Sequence, residues 1–264
     1  MDPTRRLKAM LWRAVPPRNR FLYTFCRKYV DRHNGENNHD IRSNGELWLM
    51  SSVLPKCSTV FDVGANVGDW TAMALAFNPE ITVHCFEPSR TTFELLRTRD
   101  LKGTILNDFG MSSAPGTRVL HVFPETPALN TLYLRSGLEA GFGLSPQSKQ
   151  EIVSLDTIDR YCERKDIKVI DFLKVDVEGH ELEVFRGAFN MLSRGGVRRI
   201  QFEYGGCNID SRTLLKDLFD YLLPFGYAFH KLYPRELRRI DRYDQRLENF
   251  QYQNWVLLAE YTAL

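Results

Sequence analysis

Residues 59–71 read TVFDVGANVGDWT, and the run changes character halfway along. Val60, Phe61 and Val63 make a short apolar stretch closed by Gly64, the pattern of a buried parallel strand that ends in a turn. Helix-compatible residues resume at Asp69, with Trp70, Met73, Ala74 and Phe77 spaced to lay one face on a sheet. The unit is strand, glycine-rich turn, helix. Gly64 and Gly68 let the backbone take φ values that a Cβ disfavours and come close to a ligand, and the helix that follows presents its free N–H groups toward the turn.

The turn is not a dinucleotide fingerprint. G-x-G-x-x-G is missing, because Gly64, Ala65, Asn66, Val67 and Gly68 leave no third glycine in register. Asp62 interrupts an otherwise apolar strand, and a carboxylate there suits a cationic amino group and repels a diphosphate. Residues 81–86 (ITVHCF) read as the second strand, ended by Glu87 and Pro88. A carboxylate at that tip is placed to accept both hydroxyls of a ribose. Asp62, the 64–68 turn and Glu87 together describe a pocket for S-adenosylmethionine, which carries an amino acid and a ribose but no phosphate.

A chain of 264 residues accommodates one α/β domain plus a small arm, here divided as 1–43 and 44–264. Lys and Arg number 35 against 33 Asp and Glu, so the formal net charge is +2 and there is no global field to hold nucleic acid. The five cysteines, Cys26, Cys57, Cys85, Cys162 and Cys207, are scattered and odd in number, which argues against a disulfide framework or a zinc site. No apolar run approaches the roughly 20 residues of a membrane span and no signal-peptide pattern is visible, so the expected location is cytoplasmic, with peripheral membrane contact through the arm as an open alternative.

The arm earns that alternative by its charge. Residues 2–33 carry Arg5, Arg6, Lys8, Arg13, Arg18, Arg20, Arg27, Lys28 and Arg32 against Asp2 and Asp31. Leu7, Met10, Leu11 and Ala14 recur at helical spacing, Pro16 and Pro17 stop that helix, and Phe21, Leu22, Phe25 and Tyr29 start another. Basic amphipathic helices lie on anionic membranes or partners. The other reading is an arm packed on its own domain, or on a sister subunit in a homo-oligomer. A polar loop (34–45) then leads to a helix over 46–54, where Asn44, Gly45 and Glu46 are either site residues or simply the helix start.

Ser89 caps a helix running through Phe93 and Leu96, and residues 104–106 form the third strand. Asp108 beyond it either accepts the adenine amino group or is a surface-turn aspartate. Residues 118–123 are strand-like, and 124–150 read as a loop on the substrate side. Residues 151–155 lead into a helix through Ile158 and Tyr161, with Asp156 as its cap. Residues 169–177 (VIDFLKVDV) form a near-continuous apolar strand interrupted by Asp171, Lys174 and Asp176, which are costly at the end of a central strand unless they serve the crevice there. Residues 197–204 are the fifth strand, carrying Glu203. Strands at 227–232 and 254–261 pair antiparallel at the sheet edge. The expected fold is α/β and Rossmann-like: a seven-stranded, mostly parallel sheet with an antiparallel edge strand, plus a helical N-terminal arm.

With DVGANVG (62–68), FEP (86–88) and FLKVDVEGHELEVFRGA (172–188) in hand, the sequence resembles the FkbM family of S-adenosylmethionine-dependent methyltransferases over roughly residues 44–260. The resemblance implies the class I methyltransferase fold and cofactor roles for Asp62, Gly64, Asn66, Gly68 and Glu87. It places Asp176, Glu178 and His180 at the reaction crevice, and implies O-methylation of a small-molecule or glycan acceptor such as a sugar or secondary metabolite. The segment 107–113 (NDFGMSS) departs from the alanine-leucine-serine pattern many relatives carry.

An acceptor hydroxyl has to lose a proton, and His180 has the ordinary pKa best suited to that at neutral pH. Asp176 orients it, acts as the base itself, or binds the acceptor hydroxyl. Asp176, Glu178 and Glu203 are also oxygen donors of the kind Mg²⁺ takes. Asp176 and Glu178 are expected to diverge unless the turn bends between them, so a metal site is not the favoured expectation. Two rivals remain. A nicotinamide-dependent oxidoreductase is disfavoured by the missing glycine and by Asp62, and a non-catalytic cofactor-binding or membrane-recruitment protein by the intact acidic turn.

Overall fold

The computed structural model describes residues 3–14, 18–135 and 148–259. Its arm is two helices, α1 (Pro3–Ala14) and α2 (Arg20–Asn34). Pro16 and Pro17, expected to separate them, lie outside the described residues. Asn19 caps α2 by accepting from Leu22 N–H at 2.9 Å, and Gly35 ends it with φ +66. No side chain of α2 is buried, and the described side chains of α1 are exposed. The reading of an arm packed on its own domain is therefore corrected: among the described residues, the arm's apolar side chains are exposed or at most half-buried. The segment after α2 is fastened down, by a buried Lys231–Glu36 ion pair of 2.6 Å and by Asn37 N–H donating to the Tyr252 carbonyl at 2.9 Å.

Beyond the arm, α3 (Glu46–Val53), β1 (Thr59–Val63), α4 (Asp69–Phe77), β2 (Thr82–Phe86), α5 (Arg90–Thr98) and β3 (Thr104–Asn107) make two successive strand–helix–strand units. Alternation along the strands builds two apolar layers. Phe61 and Val63 pack with Phe86 on one face, while Val60 packs with Val83 and Cys85 on the other. A small separate sheet follows, made of β4 (Gly110–Met111), β5 (Gly116–Val122) and β6 (Lys149–Asp156), in which β5 and β6 pair as an antiparallel hairpin. Of the loop expected over 124–150, residues 136–147 lie outside the described residues. α6 (Ile158–Arg164) is capped by Thr157, whose side chain accepts from Arg160 N–H. Asp156 is not that cap; it ends β6 and pairs with Arg164 at 2.9 Å.

The chain returns to the main sheet through β7 (Phe172–Val175), α7 (Glu181–Arg186), α8 (Phe189–Ser193), β8 (Arg199–Tyr204), α9 (Cys207–Ser211), α10 (Leu215–Leu222), β9 (Tyr227–Tyr233), β10 (Glu236–Ile240) and β11 (Gln253–Ala259). Residues 260 and 261, expected to close the last strand, lie outside the described residues. The main sheet has eight strands in the order β10-β9-β11-β8-β7-β1-β2-β3. The five from β8 to β3 are parallel, as expected. Two details differ. β11 is not at the edge but inserts antiparallel between β8 and β9, and β10 supplies an eighth strand as the outer arm of a hairpin. Exposed Arg238 and Arg239 on β10 suit an edge that must not recruit another strand.

Strand order reverses between β1 and β7, and the crevice outside the C-terminal strand ends there is where open α/β sheets bind ligands. Register sets what faces it. Asp62 on β1 stands opposite Lys174 on β7, and Lys174 opposite Gln201 on β8.

Candidate active site

A cavity of about 1190 Å³ opens at that crevice, with the β1–α4 turn and Glu87 on one wall and Lys174, Asp176, Glu178 and Glu203 on another. The turn is shaped by its neighbours before any ligand arrives. Gly64 has φ +85, and a Cβ there would sit 1.8 Å from the Asp176 carbonyl oxygen, so the passage of the chain leaving β7 demands glycine. Gly68 has φ +83 and starts α4, but it does not line the cavity; its missing Cβ makes room for Leu96.

The amide N–H groups of the turn are all used internally. Gly64 and Ala65 both donate to the Phe86 carbonyl at 3.0 Å, Gly68 donates to the Ala65 carbonyl at 2.9 Å, and Val67 donates to Asn66 Oδ1 at 2.7 Å. Asn66, held at φ +49, donates its N–H to Glu87 Oε2 at 3.0 Å. No N–H of residues 64–68 is left to grip a phosphate. Glu87 Oε1 accepts from Ser89 N–H at 2.9 Å, so the carboxylate is pinned at both oxygens while each keeps a second lone pair. Burial pushes the Glu87 carboxyl up to about 7, against the pull of those two N–H donors.

Besides Gly68, two further sequence-predicted cofactor residues lie off the cavity wall. Asp62 is fully buried on the α3–α4 side of the sheet, where Oδ2 accepts from Thr71 Oγ1 at 2.6 Å and Oδ1 lies 3.6 Å from Lys174 Nζ. The cation that it meets is this lysine, because register puts the two opposite each other. Asp108 is exposed beyond β3, while Asn107 turns inward and donates to the Cys85 carbonyl at 3.0 Å. The surface-turn reading of Asp108 stands, and its adenine contact is corrected.

The acidic turn does bend. The strand stops at Val175, Glu178 takes φ +52 and Gly179 φ +100, and Glu181 Oε1 accepts from Gly179 N–H at 3.0 Å to hold the turn shut. Oxygens of Asp176, Glu178 and Glu203 thereby come within 4.8 Å of one another, so the expected divergence of the first two is corrected. Cations already answer two of the three. Lys174 Nζ is 3.0 Å from Asp176, and Arg135 Nη1 is 2.9 Å from Glu178. Burial works against the Lys174 ammonium, but Asp176, Asp62 and Glu46 outweigh it and hold its pKa above the ordinary lysine range. Burial pushes Glu178 up to about 8, with Arg135 restraining it. Burial and the acids Asp176, Glu178 and Glu181 raise Glu203 well above the carboxylate range, with Lys174 pulling the other way.

His180 lines the cavity yet is almost fully buried. Nε2 is 2.9 Å from Ser112 Oγ and Nδ1 is 2.7 Å from Tyr133 Oη, and burial pulls its pKa down to about 4. Both ring nitrogens are taken by segments that close over the start of α7, so the expectation of a general base facing an acceptor is corrected. Sequence reasoning also missed Arg135 and Tyr252 on the wall, which sit in irregular segments without periodicity. Glu46 was named as either a site residue or a helix start and is both. It opens α3, lines the cavity, and accepts from Asn44 Nδ2 at 2.7 Å and Gln201 Nε2 at 2.8 Å. Asn44 supports it from off the wall, and Gly45, at φ +108, is required by the nearby Tyr233 carbonyl.

Residues 62–229, more than half of the chain, match the model of the methyltransferase FkbM domain. Methyltransferase sdnD of Sordaria araneosa is 30% identical over 159 residues, covering 51% of this chain and 61% of that protein. The 31-O-demethyl-FK506 methyltransferase FkbM of Streptomyces tacrolimicus is 28% identical over 151 residues, covering 48% and 58%. Hexuronic acid methyltransferase AglP of Haloferax volcanii is 30% identical over 159 residues, covering 58% and 59%. The chain thus spans about three-fifths of the length of the curated relatives it matches.

Proposed function

The chain belongs to the methyltransferase FkbM domain family, and on that premise we propose that it transfers a methyl group from S-adenosylmethionine to a hydroxyl of a sugar, glycan or secondary metabolite. The observation that carries the cofactor assignment is Glu87, a carboxylate pinned at the cavity wall beside a turn whose N–H groups are all engaged. Such a wall fits a ribose, and the turn keeps no N–H of residues 64–68 for a diphosphate, which weighs against a nicotinamide cofactor. Glu87 would hold the ribose hydroxyls, with Asn66 N–H keeping its carboxylate in place. Bound there, S-adenosylmethionine supplies an activated methyl on a sulfonium.

The protein's share is alignment and proton handling. Asp176 accepts a hydrogen bond from the acceptor hydroxyl, and Lys174, at 3.0 Å, holds its side chain in place. Glu203, at the cavity wall and with its pKa raised by burial and the neighbouring acids, takes the hydroxyl proton at a carboxylate oxygen; once ionised it is a stronger base than an ordinary glutamate. Glu178 and Arg135 form the far wall. His180 positions Ser112 and Tyr133 and does not itself touch the acceptor. Lys174 and Arg135 supply the positive charge beside this acidic cluster, so the proposal needs no Mg²⁺ and activity should survive a chelator.

The name of the Streptomyces relative, a 31-O-demethyl-FK506 methyltransferase, supports oxygen as the acceptor atom, and that of the Haloferax relative, a hexuronic acid methyltransferase, supports a sugar as the acceptor class. Incubation with tritiated S-adenosylmethionine and an extract of the source cell tests this. Label that withstands mild alkali and is recovered in a methyl ether agrees with the proposal. Label released by alkali as methanol, or recovered in an amine, contradicts it.

A further inference from the structure

We propose that α1 and the outward face of α2 dock the protein on an anionic lipid surface. The arm presents exposed apolar side chains: Leu7, Met10 and Leu11 along α1, and Phe21, Phe25 and Tyr29 one turn apart along α2, with Phe21 82% exposed. Around these, residues 3–34 hold nine Lys and Arg against a single Asp, Asp31. Pairing this face with a second copy would bring two such cationic surfaces together. A layer of anionic headgroups over hydrocarbon answers the apolar rows and the charge at once.

The attachment of α2 adds a second observation. The helix is held from its C-terminal end, where Glu36 and Lys231 form a buried ion pair and Asn37 Nδ2 donates to Asp31 Oδ1 at 3.0 Å and to Gln251 Oε1 at 2.8 Å. Arg27 lies two residues past Phe25, about 200° around the helix, and it lines the cavity described above. Docking through the aromatic row therefore leaves Arg27 on the opposite side of α2, toward the cavity. The docking itself stands apart from the methyl-transfer reading.

The test is co-sedimentation of the full chain with vesicles of phosphatidylcholine alone or mixed with phosphatidylglycerol, at low and high salt. The chain should sediment with the mixed vesicles only, and less as salt rises. Leu11→Asp, and separately the pair Arg5→Glu with Lys8→Glu, should each lower partitioning about tenfold with an unchanged circular dichroism spectrum, since all three side chains are exposed. Failure to sediment with mixed vesicles at low salt would overturn the proposal, as would equal binding to neutral vesicles. A concentration-dependent dimer that Leu11→Asp disperses, seen by sedimentation velocity without vesicle binding, would overturn it in favour of self-association.

Discussion

Glu87 ties cofactor binding to pH in a direction that the structure fixes. Ribose hydroxyls donate to a carboxylate, and with its pKa raised to about 7 by burial, Glu87 must lose a proton on binding below that pH. S-adenosylmethionine affinity is therefore expected to climb as pH rises toward 7 and then level off, whereas Glu87→Gln should bind more weakly with a flat profile; calorimetric titrations across this range would show both. His180 ties stability, too, to pH, and in the same direction. Its folded pKa of about 4 lies below the unfolded value, so the unfolded chain binds the extra proton and stability is lost as pH falls from about 6.5 to 4. Chemical denaturation of His180→Gln should lack that part of the slope, worth about 3 kcal/mol over the window. Asp176→Asn and Glu203→Gln should keep cofactor affinity within a few-fold while turnover falls about 10²- to 10⁴-fold. Loss of cofactor binding in either would move that residue out of the acceptor role.

At the scale of elements, the β1–α4 turn depends on one glycine. Gly64→Ala places a Cβ against the Asp176 carbonyl at a positive φ, and should cost about 3 kcal/mol or more, with a fall in thermal midpoint on the order of 10 °C. Gly206→Ala meets nothing within 4 Å and should leave the midpoint within about 1 °C. Equal effects at the two positions would contradict the close approach of the turn to the end of β7. The parallel strands were legible in the sequence because β1, β2, β7 and β8 are apolar runs that end where glycine or acid begins. β10 was not, since Glu236, Arg238 and Arg239 give an edge strand the look of a loop. The place of β11 was hidden for another reason: insertion between β8 and β9 is decided by pairing, which local periodicity does not encode.

The same limit applies to the site as a whole. Glu87, the turn and the cluster at 176–180 were visible as polar residues out of place in apolar runs. The Asp62–Lys174 pairing depends on strand register, and the contacts of His180 on Ser112 and Tyr133, some 50 to 70 residues earlier in the chain. Deleting residues 1–33 should leave the thermal midpoint and cofactor affinity close to those of the full chain, because the arm helices bury no side chain among the described residues and the shortened chain keeps the Glu36–Lys231 pair. The most direct measurement of all is a calorimetric titration of the full chain with S-adenosylmethionine and with NAD⁺, repeated on Glu87→Ala. One equivalent of S-adenosylmethionine should bind, NAD⁺ should not, and Glu87→Ala should weaken the cofactor at least about tenfold. Binding of NAD⁺ in its place, or an affinity untouched by Glu87→Ala, would contradict the site described here.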